Sequence, residues 1–220
     1  YFRVVKKAME LVYPDIAATL HHVAHGMLRL ASGKMSSRTG NVITGESLLS
    51  DLTEVAKARA HESRADDPEK LARDIAVGAI KYQILRQGTE KNIIFDEERA
   101  LSLEGDSGPY LQYAHARARA LLAKGAQAGV MPAASGMGTG LERMLVRFAH
   151  IADRAARDLA PQHVTTYLTE LASEFNAWYA REQIVDGTPD APRKLAIVAA
   201  VAATLENGLS LLGIHAPEKM

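Results

Sequence analysis

Residues 105–122 read GDSGPYLQYAHARARALL, and this stretch decides the class of the fold. Gly105 to Pro109 make a sharp turn, and a proline in the first helical turn gives up an N–H that has no intrahelical partner there. From Pro109 onward Leu111, Ala114, Ala118, Leu121 and Leu122 form a stripe about a third of the circumference wide, the face a helix buries. The spacing predicts a helix that continues to Lys124. Tyr110, Tyr113 and Arg117 follow at i, i+3 and i+7, a second line along the same helix. Two readings of that line stand. The tyrosines can be half-buried packing residues, with Arg117 paired to an acid on a neighbouring helix. Alternatively they are stacking platforms beside a guanidinium that meets phosphate or a base edge.

Working outward, no acidic residue lies between Ser107 and Leu141, although the chain balances 26 Lys+Arg against 26 Asp+Glu. A global basic field is therefore excluded, and any nucleic-acid surface must be local, built by how the charges are sorted. Beyond the helix, Gly125 to Gly140 is rich in Gly, Ala, Pro and Met and reads as a long inter-helix loop. Helices are expected at 141–159, 162–182 and 191–212, separated by Pro161 and by Asp186-Gly187-Thr188-Pro189.

On the other side, residues 88–104 are mixed, and a helix is expected from Pro68 to Leu85. An earlier helix begins at Thr44, whose hydroxyl can cap free backbone N–H groups, with Leu48, Leu49, Leu52, Val55 and Ala56 as its apolar stripe. The stretch from His61 to Pro68 is a charged connector, and the alternating charges at 51–74 make a solvated face. Residues 18–30 alternate loosely and suggest a strand feeding a loop. Residues 1–12 read as the end of an amphipathic helix broken by Tyr13-Pro14-Asp15. The expectation is a largely α-helical bundle with a short α/β remnant at its N-terminus.

With no cysteine, disulfides and thiolate metal sites are excluded. No apolar run approaches the roughly 20 residues a bilayer span needs, and no signal peptide opens the chain. The opening Tyr1-Phe2-Arg3-Val4-Val5, without Met, reads as part of something longer.

The second informative stretch is GKMSSRTGNV at 33–42. A loop that holds triphosphate needs donors, positive charge and a backbone free to close. Gly33 and Gly40 supply the freedom, Lys34 a point charge and Arg38 a planar fork of donors. Ser36 and Ser37 add hydroxyls, successive backbone N–H groups can form an anion nest, and Met35 is an apolar anchor. An ordinary exposed loop would have the same composition.

Together these motifs resemble the arginyl-tRNA synthetase family. GKMSSRTGNV resembles the KMSKS signature loop of class I aminoacyl-tRNA synthetases, in the arginyl form with GKMS, a basic residue and GNV. GDSGPYLQYAHARARALL resembles the family hallmark EGNTGPYLQYAHAR, which leads into an anticodon-binding helical domain. Lys81-Tyr82 and Phe95-Asp96 match the run-up to it, and LSLLGIHAPEKM at 209–220 is similar to the family's terminal LGI.AP..M. The resemblance spans essentially the whole chain.

It implies a division into residues 1–43, the end of a Rossmann-type nucleotide-binding domain with the signature loop; 44–104, a helical region beside the tRNA stem; and 105–220, the anticodon-binding bundle. It implies arginine–tRNA ligase activity in two steps: arginine and ATP (with Mg²⁺) give arginyl-adenylate, which the tRNA 3′ end attacks. Arginyl enzymes need tRNA for the first step as well.

The resemblance gives Lys34 and Arg38 the task of stabilising charge on the departing pyrophosphate. Ser37 stands where the pattern has its second lysine, and Arg38 would take its place. Tyr110, Gln112, Tyr113, Arg117, Trp178, Tyr179 and Met220 are the candidate tRNA contacts. Phe175, Trp178 and Tyr179 cluster with Asn176 and Arg181 near them. That cluster reads either as core plus a capped end or, for Trp178 and Tyr179, as a surface facing the anticodon loop.

The family's HIGH motif and arginine pocket have no counterpart here, the nearest echo being His22-Val23-Ala24-His25 in the wrong place. These 220 residues alone are therefore expected not to activate arginine. His21, His22 and His25 have no acidic or thiol companions, so no metal site is expected. A cytoplasmic monomer without a membrane partner is the family's pattern. The alternatives are a non-catalytic tRNA-binding paralogue and a plain structural bundle.

Overall fold

The computed structural model describes residues 1–30, 44–61, 63, 65–133 and 140–220. Among them lie α1 (Phe2–Val12), α2 (Pro14–Thr19), β1 (Leu28–Leu30), α3 (Gly45–His61), α4 (Pro68–Leu85), β2 (Ile93–Phe95), α5 (Glu97–Ala100), α6 (Gly108–Gln127), α7 (Gly140–Leu145), α8 (Phe148–Arg157), α9 (Gln162–Arg181) and α10 (Ala191–Leu211). The fold is mainly helical, and its only pairing among the described strands is β1 parallel to β2, with Leu28 opposite Ile93 and Leu30 opposite Phe95.

Local chemistry sets the helix starts. Thr44 and Ser47 cap α3 reciprocally, each side-chain oxygen accepting the other's backbone N–H at 3.0 Å. Asp67 accepts from the Lys70 N–H ahead of α4, Asp96 from the Arg99 N–H ahead of α5, and Ser107 from the Tyr110 N–H ahead of α6. Proline occupies the first turn of both α4 and α6.

Two apolar cores form, and α4 belongs to both. Its Leu71, Ile75, Ala76 and Ala79 pack with Leu48, Leu52, Ala56 and Ala60 of α3 and with Phe95. Farther along, Tyr82 enters the larger core of α6 to α10, with Leu111, Leu168, Phe175, Leu195, Val201 and Leu209 fully buried or nearly so. The α3 stripe thus runs strictly at i+4, and Val55, expected inside, is exposed.

Where α4 crosses α6 the backbones nearly touch. A Cβ on Gly108 would lie 2.2 Å from the Gly78 carbonyl oxygen, so α6 needs glycine at the crossing, while one on Gly78 would crowd the Gln112 side chain at 2.8 Å.

Three expectations need correction. Residues 14–19 are helical, because Pro14 starts α2 instead of merely ending α1, and the strand is confined to 28–30. The helix expected at 141–159 is two. The Met144 carbonyl accepts from the Arg147 N–H (3.0 Å) and from the Tyr167 hydroxyl (3.0 Å), and that intruding hydroxyl interrupts the α-helical ladder. Finally, α10 is by length and composition long and apolar enough to cross a bilayer. Its Leu195, Val198, Val201, Leu205 and Leu209 are buried in the bundle, which is how a core helix behaves.

Candidate nucleic-acid interface

The Gly33, Lys34, Met35, Ser36, Ser37 and Arg38 loop lies outside the described residues. The geometry that can be built concerns α6, α9 and the C-terminal tail.

Arg117 of α6 is clamped between two aromatic faces: its guanidinium carbon lies 4.7 Å from the Tyr113 ring centroid and 4.9 Å from that of Tyr179. Both distances are within the range of cation–π attraction. Arg117 Nη1 donates to Asn176 Oδ1 (2.5 Å), and Asn176 Nδ2 donates to the Tyr110 hydroxyl (3.1 Å). Among the described residues no carboxylate lies within 4.0 Å of this guanidinium. Its partners are two rings and a neutral amide, so its charge is held in place without being neutralised. Of the two readings of the Tyr110–Tyr113–Arg117 line, pairing with an acid is not the one found.

Tyr113 also lines a cavity of about 540 Å³, together with Met220, Leu71, Ile75, Ser102 and Glu104. That volume suits a small flat ligand. Its lining mixes apolar side chains with the hydroxyls of Ser63 and Ser102 and the carboxylates of Glu98 and Glu104. The sequence thus brings Tyr113, Arg117, Tyr179 and Met220 into one continuous feature, from α9 across α6 to the last residue.

Three candidate contacts are placed otherwise. Gln112 is fully buried. Its Nε2 donates to the Asp74 carbonyl (3.0 Å) and the His215 carbonyl (2.9 Å), so it joins α4 and the tail to α6 and does not reach the surface. The family-like motif made it a candidate contact, but α4 covers that side of α6. Trp178 is half-buried, packed on the larger core and tilted against Phe175 at 6.3 Å between ring centroids. Tyr110 is half-buried too, its hydroxyl engaged by Asn176.

Beneath the interface sits a polar joint. The Tyr82 hydroxyl donates to Asp106 and lies 2.6 Å from the Thr169 hydroxyl, while Arg86 pairs with Asp106. This ties α4, the turn before α6, and α9 together. Burial first, then the hydrogen bond to Asp106, hold the Tyr82 phenol well above its ordinary range, so it stays a donor. Burial likewise pushes Tyr167 up to about 12, so its hydroxyl keeps the proton it gives to Met144. The histidines at 21, 22 and 25 are exposed on irregular backbone, with His22 stacked on Phe2 at 4.3 Å.

Asn176 was visible in the sequence only as a neighbour of an aromatic cluster. Its bridging role depends on α6 and α9 lying side by side, for which no local pattern exists.

Comparison with known proteins bears on these features. Residues 111–220 match the family model of the DALR anticodon binding domain, and residues 1–97 match that of the class I (R) tRNA synthetase catalytic domain. The chain is 36% identical over 205 residues to an arginine–tRNA ligase of Exiguobacterium sibiricum, covering 91% of this chain and 37% of that protein. It is 34% identical over 238 residues to one from Pyrococcus furiosus, covering 98% and 38%. The solved arginyl-tRNA synthetase of Thermus thermophilus superposes with a TM-score of 0.80 at 32% identity, over 97% of this chain and 38% of that one. The chain therefore spans less than half the length of these relatives.

Proposed function

The chain belongs to the arginyl-tRNA synthetase family, and from that premise we propose that it is the tRNA-binding part of an arginine–tRNA ligase. In this reading residues 105–220 hold the anticodon loop, residues 44–104 lie beside the tRNA stem, and residues 1–43 close the nucleotide-binding domain.

The observation that carries the proposal is the Tyr179–Arg117–Tyr113 stack opening onto the Met220 cavity. A guanidinium held by rings and an amide keeps its charge available for phosphate, and the tyrosine faces match splayed bases. Single-stranded anticodon bases are the nucleic-acid feature such a surface recognises.

The loop supports the chemical half of the reading. Lys34 and Arg38 would stabilise the negative charge on pyrophosphate as it leaves ATP, which reaches the enzyme with Mg²⁺. Ser36, Ser37 and the Gly33 backbone would hold the phosphates, and Met35 would seat the loop. Arginine, ATP and the arginine tRNA are the substrates of the whole enzyme. Because HIGH and an arginine pocket have no counterpart in these 220 residues, they alone do not form the adenylate. The whole protein is a cytoplasmic monomer in this account.

Two substitutions and one assay test it. Arg117→Ala and Tyr179→Ala should each weaken binding of an arginine tRNA transcript by about 1–3 kcal/mol, the worth of a stacked base. ATP–pyrophosphate exchange by the chain alone should be absent. Unchanged tRNA affinity in both variants would remove the stack from the account, and measurable exchange would overturn the claim of inactivity.

A further inference from the structure

After α10 the chain turns at Gly213, whose φ of +65° favours glycine, and residues 214–220 run as an irregular strap across α6 and α4. Three alternate carbonyls of this strap are each received by a side-chain donor. Lys81 Nζ donates to the Gly213 carbonyl, Gln112 Nε2 to that of His215 (2.9 Å), and His115 Nδ1 lies 2.9 Å from that of Pro217. An i, i+2, i+4 series of captured carbonyls is the periodicity of extended backbone. Ion pairs fasten its margins, Arg119 with Glu218 at 2.6 Å and Lys219 with Asp66 at 2.8 Å, and the His215 ring lies 3.4 Å from Asp74.

Gln112 and His115 are both fully buried, so neither can touch a ligand. A carbonyl only accepts, so His115 must carry its proton on Nδ1 and leave a lone pair on Nε2. That Nε2 is buried and has no partner among the described residues. A proton placed there would be a buried donor without an acceptor, which keeps the imidazole neutral and in one tautomer. Two residues of the α6 motif are therefore committed to holding backbone that lies 102 and 103 positions away. The free end of that backbone is Met220, half-buried against the α3–α4 core and lining the cavity opposite Tyr113.

We propose that Gln112 and His115 are positioning residues for the anticodon site: they grip the C-terminal strap by its carbonyls and so fix Met220 as a wall of the Tyr113 cavity. This rests on the reading of that cavity as the seat of an anticodon base. The grip is to backbone, so it specifies where the strap lies independently of the strap's side chains. Tail and α6 therefore work as one unit, although they are far apart in sequence.

The test uses the 220-residue chain with ¹³C-methyl-labelled methionine. Its variants are His115→Leu, His115→Asn, Gln112→Met and deletion of Met220; all four are read by affinity for an arginine tRNA transcript, and the first three also by the Met220 methyl resonance. Asn can place an amide N–H where Nδ1–H sits, so His115→Asn should keep the Met220 resonance and the affinity. His115→Leu and Gln112→Met should shift the Met220 resonance and weaken binding about threefold to tenfold, the worth of a lost hydrogen bond. In the Met220-deleted background His115→Leu should cost nothing further.

An unmoved Met220 resonance in a folded His115→Leu or Gln112→Met variant overturns the proposal, as does a full additional loss in the deleted background. Failure of the cavity reading looks different: deleting Met220 would leave affinity unchanged while His115→Leu still moves the resonance. Should His115→Leu not fold, Gln112→Met and the asparagine variant decide the same question.

Discussion

Residues 2–27 and the bundle of α6 to α10 treat their apolar side chains in opposite ways. In the first, Leu11 is 78% exposed and Val4 72%, and α1 has no buried residue at all. In the second, Phe175, Leu168, Leu205 and Leu209 are completely sealed. The two regions are comparably apolar in pattern, since each shows an amphipathic stripe. What separates them is whether a partner surface lies within the described chain. The bundle carries both halves of its own core and holds Arg117 between two rings and an amide. The N-terminal segment presents half a core. A surface that must bind a polynucleotide can be held in place by the former and not by the latter.

The comparison breaks first at the core. Phe175→Ala should destabilise the bundle by about 3–5 kcal/mol, whereas Leu11→Ala should stay within about 0.5 kcal/mol, both read from urea midpoints. Equal costs would mean the two regions are held alike.

Next comes the crossing of α4 and α6. A methyl at Gly108 would meet backbone, not a yielding side chain, so Gly108→Ala should cost about 1–3 kcal/mol and loosen the joint between the two cores.

A finer probe is pH. Burial holds the His115 imidazole below its ordinary 6.5, with Glu206 and Glu218 pulling the other way and Arg119 reinforcing the shift. The folded chain therefore refuses a proton that the unfolded chain accepts. The stability tied to this group is complete above pH 6.5 and falls as pH drops below it, by at most about 1.4 kcal/mol per pH unit for one proton. Urea midpoints at pH 7.5 and 5.5 would show the slope, and His115→Asn should flatten it.

The smallest effect sharpens the contrast from the other side. Arg157→Ala removes an exposed i,i+4 pair with Asp153 and should change stability by less than about 0.5 kcal/mol.

Much of the bundle was legible because its signals are local. Pro68, Pro109, Pro161 and the spacings of Leu111, Ala114 and Ala118 act within a turn or two, and α4, α9 and α10 lie where these signals put them, with α6 running on to Gln127 past the expected Lys124. The break between α7 and α8 was not legible, since it depends on a Tyr167 hydroxyl reaching a carbonyl 23 residues earlier. β2 escaped notice, and the strand expected over 18–30 shrank to 28–30, because three-residue strands carry too few alternations to register their bounds.

The site divides in the same way. Tyr113 and Arg117 stand out by type and spacing, whereas the duties of Gln112 and His115 are owed to distant carbonyls, which leave no mark in composition. Gln112, a candidate tRNA contact by its place in the motif, is instead buried against those carbonyls.

The central claim is that a self-contained bundle reads an anticodon through the Tyr179–Arg117–Tyr113 stack and the Met220 cavity. The most direct measurement is the affinity of this chain for an arginine tRNA transcript beside one altered only in the anticodon loop, at two salt concentrations. The account predicts tighter binding of the unaltered transcript, by a ratio that persists at the higher salt while both affinities fall. Equal affinities for the two transcripts, both collapsing with salt, would leave only phosphate attraction and contradict it.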